Sequence, residues 1–272
     1  MVQRKTDILP KTIDSDIVVT SLRALHSLED HSISQGLYLI VGGTAVQSYL
    51  PSANRRPTSD IDLSVVRPLN YDEFKTFVNP MSEYLKDGGY MVETHKRDSR
   101  FQLLVTTADG QDHLSVEFSR RNERKFVEIS SRLERELSHG RRKAIAGTSS
   151  SYVVAAPEDI TIPKIVRGVG SLERNPQVYI ELTRIYQQES TLPEILNHVV
   201  GERAIADRTK VAKEVEISRL KADLYDILAL STFVGFNQPY LLESATEWKK
   251  LTAPSEQRDF LLQLLKLPLS SQ

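Results

Sequence analysis

The sequence predicts an α+β protein in which a unit built around a β-sheet precedes a helical unit. Ten of the 12 glycines lie at or before Gly170, and the short apolar runs typical of strands occur in the same part of the chain. Beyond about residue 157, a helical apolar period is interrupted by single prolines. We therefore expect an α/β domain at residues 1–156 and a helical domain at residues 157–272.

Five segments of the first domain have the length and composition of β-strands. Two of them flank Asp109-Gly110, a dipeptide that favours a tight hairpin turn. We therefore expect a mixed, mainly antiparallel sheet. The predicted strands span residues 37–41, 61–66, 100–106, 113–118 and 152–156.

Helices are predicted where apolar residues recur with a period of 3.6. Asn70 and Glu73 have the spacing of a capping box at the start of a helix predicted at 71–86, and another helix is predicted at 16–29. In the second domain the predicted helices span 160–167, 177–188, 204–236, 240–250 and 255–267, with boundaries at Pro176, Pro193, Pro239 and Pro254.

The composition excludes several functional classes. The chain has no cysteine, which excludes disulfides, thiolate metal sites and cysteine nucleophiles. No apolar stretch approaches the ~20 residues that span a bilayer, and the first residues lack the apolar region of a secretory signal. We therefore expect a cytoplasmic protein with no membrane partner. The net charge of −1 favours no partner, because a neutral sum can hide charged patches.

A glycine-rich turn follows the first predicted strand. The apolar run at 37–41 leads into Gly42-Gly43-Thr44 and then into a helix. Glycines let the backbone approach an anion closely, and a helix N-terminus offers unpaired N–H groups and a positive dipole end. The turn therefore suits a phosphate, although taken alone a Gly-Gly-Thr sequence is usually only a turn.

An acidic pair occurs in the next predicted strand. Asp60 and Asp62 are two residues apart, so both carboxylates project from one face of the strand. Two carboxylates so close repel each other unless a cation lies between them, and Mg²⁺ prefers oxygen ligands and substrate phosphates. Such a pair is often only a solvated strand end. Together with the preceding turn, it predicts nucleotidyl transfer.

These two motifs resemble a known family. Gly43-Thr44 followed by Arg56-Pro57-Thr58-Ser59-Asp60-Ile61-Asp62 is similar to the nucleotidyltransferase fold of the polymerase-beta type, and most similar to its AbiEii/AbiGii toxin branch. The resemblance implies that Asp60 and Asp62 are catalytic and bind Mg²⁺. It also implies that Gly42, Gly43 and Thr44 contact the phosphates of an NTP.

The family places a third acidic residue on a later strand, and Glu117 is the best match. Its side chain alternates with the apolar ones of that strand, which suits a catalytic residue, and Asp112 near the hairpin turn is the alternative. Arg100 corresponds to a basic residue that the branch places near the site. Thr58 matches a hydroxyl position, where it either binds phosphate or only caps the strand.

Two later motifs extend the resemblance. Lys164 and Arg167 are three residues apart on a predicted helix, where they either hold the triphosphate or form a solvated basic face. Asp223 and Asp226 match an Asp-x-x-Asp motif of the branch. They either orient Lys164 or the attacking hydroxyl in the nucleotide site, or form a surface ion pair with Lys221 or Arg219.

A basic segment follows the strand of Glu117. Residues 120–143 contain nine basic and four acidic side chains. An excess of this size suits contact with an RNA backbone, while several three- and four-residue spacings also suit a salt-bridged exposed helix.

The resemblance implies a Mg²⁺-dependent enzyme that moves an NMP from an NTP to an acceptor hydroxyl. The implied acceptor is the 3′ end of tRNA, and the implied role is the toxin of a toxin–antitoxin or abortive-infection system with a cognate antitoxin as partner. Two alternatives stay open. One is a transferase of the same fold that modifies a protein or a small molecule, as AMP-transferring antitoxins and aminoglycoside adenylyltransferases do. The other is a non-catalytic subunit that binds a nucleotide or a partner.

Overall fold

Seven β-strands form one mixed sheet in the computed structural model, which describes residues 10–29, 38–145, 148–188 and 212–265. The strand order is β3-β4-β5-β2-β1-β7-β6. Of the six neighbouring pairs, β1–β7 and β2–β5 are parallel and the other four are antiparallel. The strands are β1 (Tyr38–Val41), β2 (Asp60–Val65), β3 (Met91–Lys96), β4 (Arg100–Thr106), β5 (His113–Ser119), β6 (Arg141–Ala144) and β7 (Ser151–Val154).

Helices accompany the sheet and make up the described C-terminal part. The first four are α1 (Asp16–Glu29), α2 (Gly42–Tyr49), α3 (Tyr71–Asp87) and α4 (Glu123–Ser138). The later ones are α5 (Pro157–Arg174), α6 (Pro176–Gln188), α7 (Ala212–Phe233), α8 (Gln238–Thr246), α9 (Lys249–Thr252) and α10 (Glu256–Leu264). The predicted architecture, a mainly antiparallel mixed sheet with flanking helices and a helical C-terminal part, is confirmed. None of the described helices combines the length and apolar character needed to cross a membrane.

Aromatic side chains pack between the sheet and α3, so a functional site is expected on the opposite face of the sheet. Phe101 and Phe118 are paired on β4 and β5, and the ring of Phe74 from α3 lies 4.8 and 5.2 Å from theirs. The capping box predicted at the start of α3 is confirmed, since Asn70 accepts from the Glu73 amide and Glu73 accepts from the Asn70 amide. Because neighbouring residues of a strand point to opposite faces, the residues flanking Phe118 lie on the face away from α3.

The chain divides into two compact units, residues 1–156 and 157–272. The sheet belongs to the first. The second has its own apolar core, in which Ile165 and Val169 of α5 pack with residues of α7 such as Leu224. Each unit therefore buries its own hydrophobic surface, as an independent domain does.

Several element boundaries differ from the prediction. β3 and β6 were not predicted, because β3 is largely exposed and β6 has the sequence Arg-Arg-Lys-Ala, so neither shows an apolar run. A single helix over 240–250 is wrong, because α8 ends at Thr246 and α9 begins at Lys249. Of the helix predicted at 204–236, only 212–233 is helical among the described residues. Pro193 lies outside them.

Candidate active site

Three carboxylates converge where β2 and β5 run side by side. The two strands are parallel, with Asp60 opposite Ser115 and Asp62 opposite Glu117. One carboxylate oxygen from each of Asp60, Asp62 and Glu117 lies within 4.8 Å of the other two. Glu117 is buried and the two aspartates are half-buried. Among the described residues this is the one group of three or more potential ligands with the spacing to hold a metal ion.

The first glycine of the turn makes room for this cluster. β1 is antiparallel to β2, with Val41 opposite Asp62, so α2 begins beside the acidic pair. Gly42 has φ +69°, a left-handed conformation that disfavours a side chain. A Cβ atom there would lie 2.3 Å from Oδ2 of Asp62, well inside contact distance. Glycine at position 42 is therefore required both by the backbone conformation of the turn and by the Asp62 carboxylate next to it.

The N-terminus of α2 lacks a capping side chain. Its N-cap is Val41, which makes no side-chain hydrogen bond to the first amides of the helix. Thr44 is buried, and its hydroxyl donates to the Asp60 carbonyl at 2.8 Å, so this side chain ties the helix to β2. The amides at the start of α2 and the positive end of its dipole are the features here that suit an anion.

Thr58 connects the approach to β2 with the first carboxylate. Its hydroxyl donates to Oδ1 of Asp60 at 3.0 Å. Its backbone exchanges hydrogen bonds of 2.7 and 2.9 Å with Lys11, and the buried ammonium of Lys11 pairs with Asp112. Asp112, the alternative third acidic residue, is thus engaged with Lys11 and is not part of the carboxylate cluster.

Glu117 is held through both of its oxygens. Oε2 forms an ion pair with Arg100, which lies diagonally across the β4–β5 pair, and the Arg100 side chain is 45% exposed. Oε1 accepts from the hydroxyl of Ser115 at 3.2 Å, and that hydroxyl accepts from Nε2 of Gln102 at 2.7 Å. Sequence reasoning missed Ser115 and Gln102. The available signal was their two-residue spacing from Glu117 and Arg100, which puts all four on one face.

A second charged cluster lies within the helical unit. The Lys164 ammonium donates to Asp223 and Asp226, both at 2.9 Å, and Arg167 makes a bidentate pair with Asp223 at 2.9 and 3.0 Å. The two aspartates are buried, so they do not form the surface pair with Lys221 or Arg219 that was the alternative. Lys164 is buried as well, whereas the Arg167 side chain is 51% exposed.

The electrostatics of this cluster favour its ionised form. Burial alone would lower the pKa of Lys164, but Asp223 and Asp226 act against burial, and the net pKa is raised. Burial would likewise raise the pKa of Asp223, but Lys164 and Arg167 act more strongly, and its net pKa is lowered. Two cations and two carboxylates thus compensate one another inside the unit.

The basic segment forms α4 and β6. On α4, Arg124 pairs with Glu128 and Arg132 with Glu136, so part of its charge is neutralised locally, as expected of a salt-bridged helix. On β6, the Lys143 ammonium lies 3.9 Å from the ring centre of Tyr49, and Arg141 lies 6.0 Å from it. Burial and the neighbouring Arg141 lower the pKa of Lys143.

No protein-family model matches the chain, and no curated protein matches it significantly. Several solved structures are similar to it, among them the following two. One is an antigenic nucleotidyltransferase-like protein from Paracoccidioides brasiliensis, with 17% identity, a TM-score of 0.45 and 95% of each chain covered. The other is JHP933 from Helicobacter pylori, with 16% identity, a TM-score of 0.35, and 83% of this chain and 95% of that one covered.

Proposed function

We propose that this protein is a divalent-cation-dependent nucleotidyltransferase that moves an NMP from an NTP to an acceptor hydroxyl. One observation carries the proposal: the carboxylates of Asp60, Asp62 and Glu117 lie within 4.8 Å of one another, beside a glycine turn that opens a helix. A metal-binding cluster next to an anion-binding helix start is the combination that a metal-bound triphosphate requires.

The donor set fits Mg²⁺. All three side chains offer carboxylate oxygens, the ligands that a hard cation prefers, and Asp60 and Asp62 are the proposed metal ligands. When bound, the cation neutralises charge that develops on the phosphate oxygens during the transfer. Because residue 42 is glycine, the backbone at the start of α2 lies directly against the Asp62 carboxylate, so the helix N-terminus adjoins the proposed cation site.

The remaining residues of the site bind and orient the triphosphate. The amides at Gly43 and Thr44 point from the start of α2 and suit phosphate oxygens. Arg100 is half-exposed and pairs with Glu117, and we propose that its guanidinium also binds a phosphate of the NTP. In the helical unit, phosphate binding by Lys164 and Arg167 is proposed from the resemblance alone. Of the two, Arg167 is 51% exposed and is the better candidate, since Lys164 is buried between Asp223 and Asp226.

The chemical step is an in-line displacement. An acceptor hydroxyl attacks the α-phosphorus, a new P–O bond forms, and the bond to the bridging oxygen breaks so that pyrophosphate leaves. Glu117 accepts the proton of the hydroxyl or binds a second cation. The support for this role is that Glu117 is buried and that one of its carboxylate oxygens lies within 4.8 Å of an oxygen from each of the two aspartates.

We propose an RNA acceptor, specifically the 3′ end of tRNA. The support is the resemblance to the AbiEii/AbiGii branch and the basic residues of β6, because Arg141 and Lys143 have no carboxylate partner in the described part of the chain. The same resemblance supports the role of a toxin that is neutralised by a cognate antitoxin.

The test is transfer of label from each α-labelled NTP. Incubation with bulk tRNA, and separately with RNA-free lysate, is expected to label the RNA alone and only with Mg²⁺ present. Asp62→Asn should abolish transfer and any growth inhibition in cells, while the exposed Asp72→Asn serves as a charge-matched control. Label found only in protein would contradict the tRNA acceptor and indicate a protein acceptor. NTP binding without turnover would contradict catalysis and indicate a non-catalytic binding subunit.

A further inference from the structure

The third carboxylate of the cluster is held by a chain of side-chain hydrogen bonds. The chain starts at Arg97, whose Nε donates to Oε1 of Gln102 at 3.2 Å. Gln102 donates to Ser115, and Ser115 donates to Glu117. Ser115 has no exposed surface, and Gln102 and Glu117 are each 7% exposed. Buried polar side chains in such a chain have few alternative partners.

The direction of this chain is determined by its members. A serine hydroxyl has a single proton, and an ionised carboxylate can only accept. Because Gln102 orients its amide nitrogen toward Ser115 and its amide oxygen toward Arg97, the Ser115 proton is left for Glu117. The chain therefore always presents a donor to Oε1 of Glu117, while Arg100 lies on Oε2.

All of these residues lie on the face that carries the cluster. Gln102 is opposite Glu117 across the β4–β5 pair, and Ser115 is opposite Asp60 across the β2–β5 pair. Each oxygen of Glu117 keeps a second lone pair, so a cation can bind it without breaking the chain. Side chains that hydrogen-bond a metal ligand fix its orientation and contribute to metal affinity.

We propose that Ser115 and Gln102 are positioning residues that orient Glu117 toward the cation site through a hydrogen-bond chain of fixed direction. The inference rests on the proposed function, because it assumes that the cluster binds a divalent cation. Neither residue touches the reacting atoms; each acts through Glu117.

Two variants test this by different routes. Ser115→Ala removes the donor with little change in volume. Gln102→Met removes the amide that donates to Ser115 without changing the charge, so the Ser115 hydroxyl loses the contact that fixes its direction. We expect each to weaken Mn²⁺ binding, measured by calorimetry on the full chain, by roughly 10- to 100-fold. Gln177→Met makes the same substitution at an exposed position of α6 and should bind Mn²⁺ like the wild type.

The outcomes separate this inference from the proposed function. Weaker Mn²⁺ binding by both variants, measured where circular dichroism shows them to be folded, supports the positioning role, since a merely structural role would lower the melting temperature without changing the affinity of the folded protein. If both variants bind Mn²⁺ as tightly as the wild type, the positioning role is overturned and the proposed function still stands. A wild-type protein that binds no Mn²⁺ at all would overturn both.

Discussion

At the scale of single residues, the site depends on Gly42 as much as on the acids. Its positive φ, and the mere 2.3 Å that would separate an added Cβ from Asp62, are two separate reasons why a side chain is not tolerated there. Sequence reasoning found the glycine through its turn. It could not find the contact with Asp62, because that contact arises from the register of β1 against β2.

Gly42→Ala should abolish divalent-cation binding because its Cβ displaces the Asp62 carboxylate. The matched control is Gly89→Ala, since Gly89 also has a positive φ, of +84°, but nothing within 4 Å of its added Cβ. Both changes should destabilise the fold by about 1–2 kcal/mol through backbone strain. Calorimetric titration with Mn²⁺ distinguishes them, and equal affinity in the two variants would contradict the role of Gly42.

Asp60→Asn should also remove metal binding while leaving the sheet intact. Asp60 is half-buried, and an amide of the same shape keeps an acceptor for the Thr58 hydroxyl. An unchanged circular-dichroism spectrum together with lost Mn²⁺ binding is the expected result. Retained binding would show that the cation, if any, is held elsewhere.

At the scale of elements, strand pairing brings the site together. Strands with apolar alternation, such as β2 and β5, were predicted from the sequence, and so were Asp60, Asp62 and Glu117 as candidates. The exposed edge strands were not, because Met91–Lys96 and Arg141–Ala144 lack an apolar face. The hydrogen-bond chain through Gln102 was also beyond prediction, since it depends on which residue of β4 lies opposite Glu117.

The stability of the helical unit should depend on keeping the ion cluster between α5 and α7 complete, because removal of one partner leaves a buried charge uncompensated. Lys164→Met leaves the buried Asp226 without its ammonium partner and should destabilise by about 3–5 kcal/mol. Lys250→Met breaks the exposed pair with Glu173 and should change stability by less than about 1 kcal/mol. Trp248, the single tryptophan, packs on the core of this unit and reports its unfolding in urea. Similar losses in the two variants would contradict the assignment.

The same cluster predicts a pH dependence. The pKa of Asp223 is lowered in the folded protein, so its contribution to stability is complete above the unfolded value of about 3.9 and is lost as the pH falls through the lower folded value. The stability difference between wild type and Asp223→Asn should therefore be constant near neutral pH and shrink progressively below about pH 5. Urea unfolding followed by Trp248 fluorescence measures it, and a difference that stays constant into strong acid would contradict this.

At the scale of the whole molecule, each of the two units buries its own core and carries its own charged cluster. The division follows from the sequence, because glycine and strand patterns stop near the point where helical periodicity begins. The pairing of the acidic motif with a glycine turn was likewise readable from order and spacing. The side chains that pair with each charged group could not be predicted in this way, because they are distant from it in the sequence.

Ligand binding should stabilise the full chain in a way that depends on the cluster. With Mg²⁺ and an NTP at about 100 times its dissociation constant, the free energy of unfolding should rise by about 2.7 kcal/mol. A thermal-shift assay detects this as a higher melting temperature. Asp62→Asn should show no shift under the same conditions, and a shift as large as that of the wild type would place the nucleotide away from the cluster.

The most direct test of the central claim is a crystal structure with Mn²⁺ and a non-hydrolysable NTP analogue, read by anomalous scattering. We predict a manganese peak bound by carboxylate oxygens of Asp60 and Asp62, with the phosphates lying at the start of α2 beside Gly43. A nucleotide ordered elsewhere, or manganese peaks that avoid the three carboxylates, would contradict the proposed site.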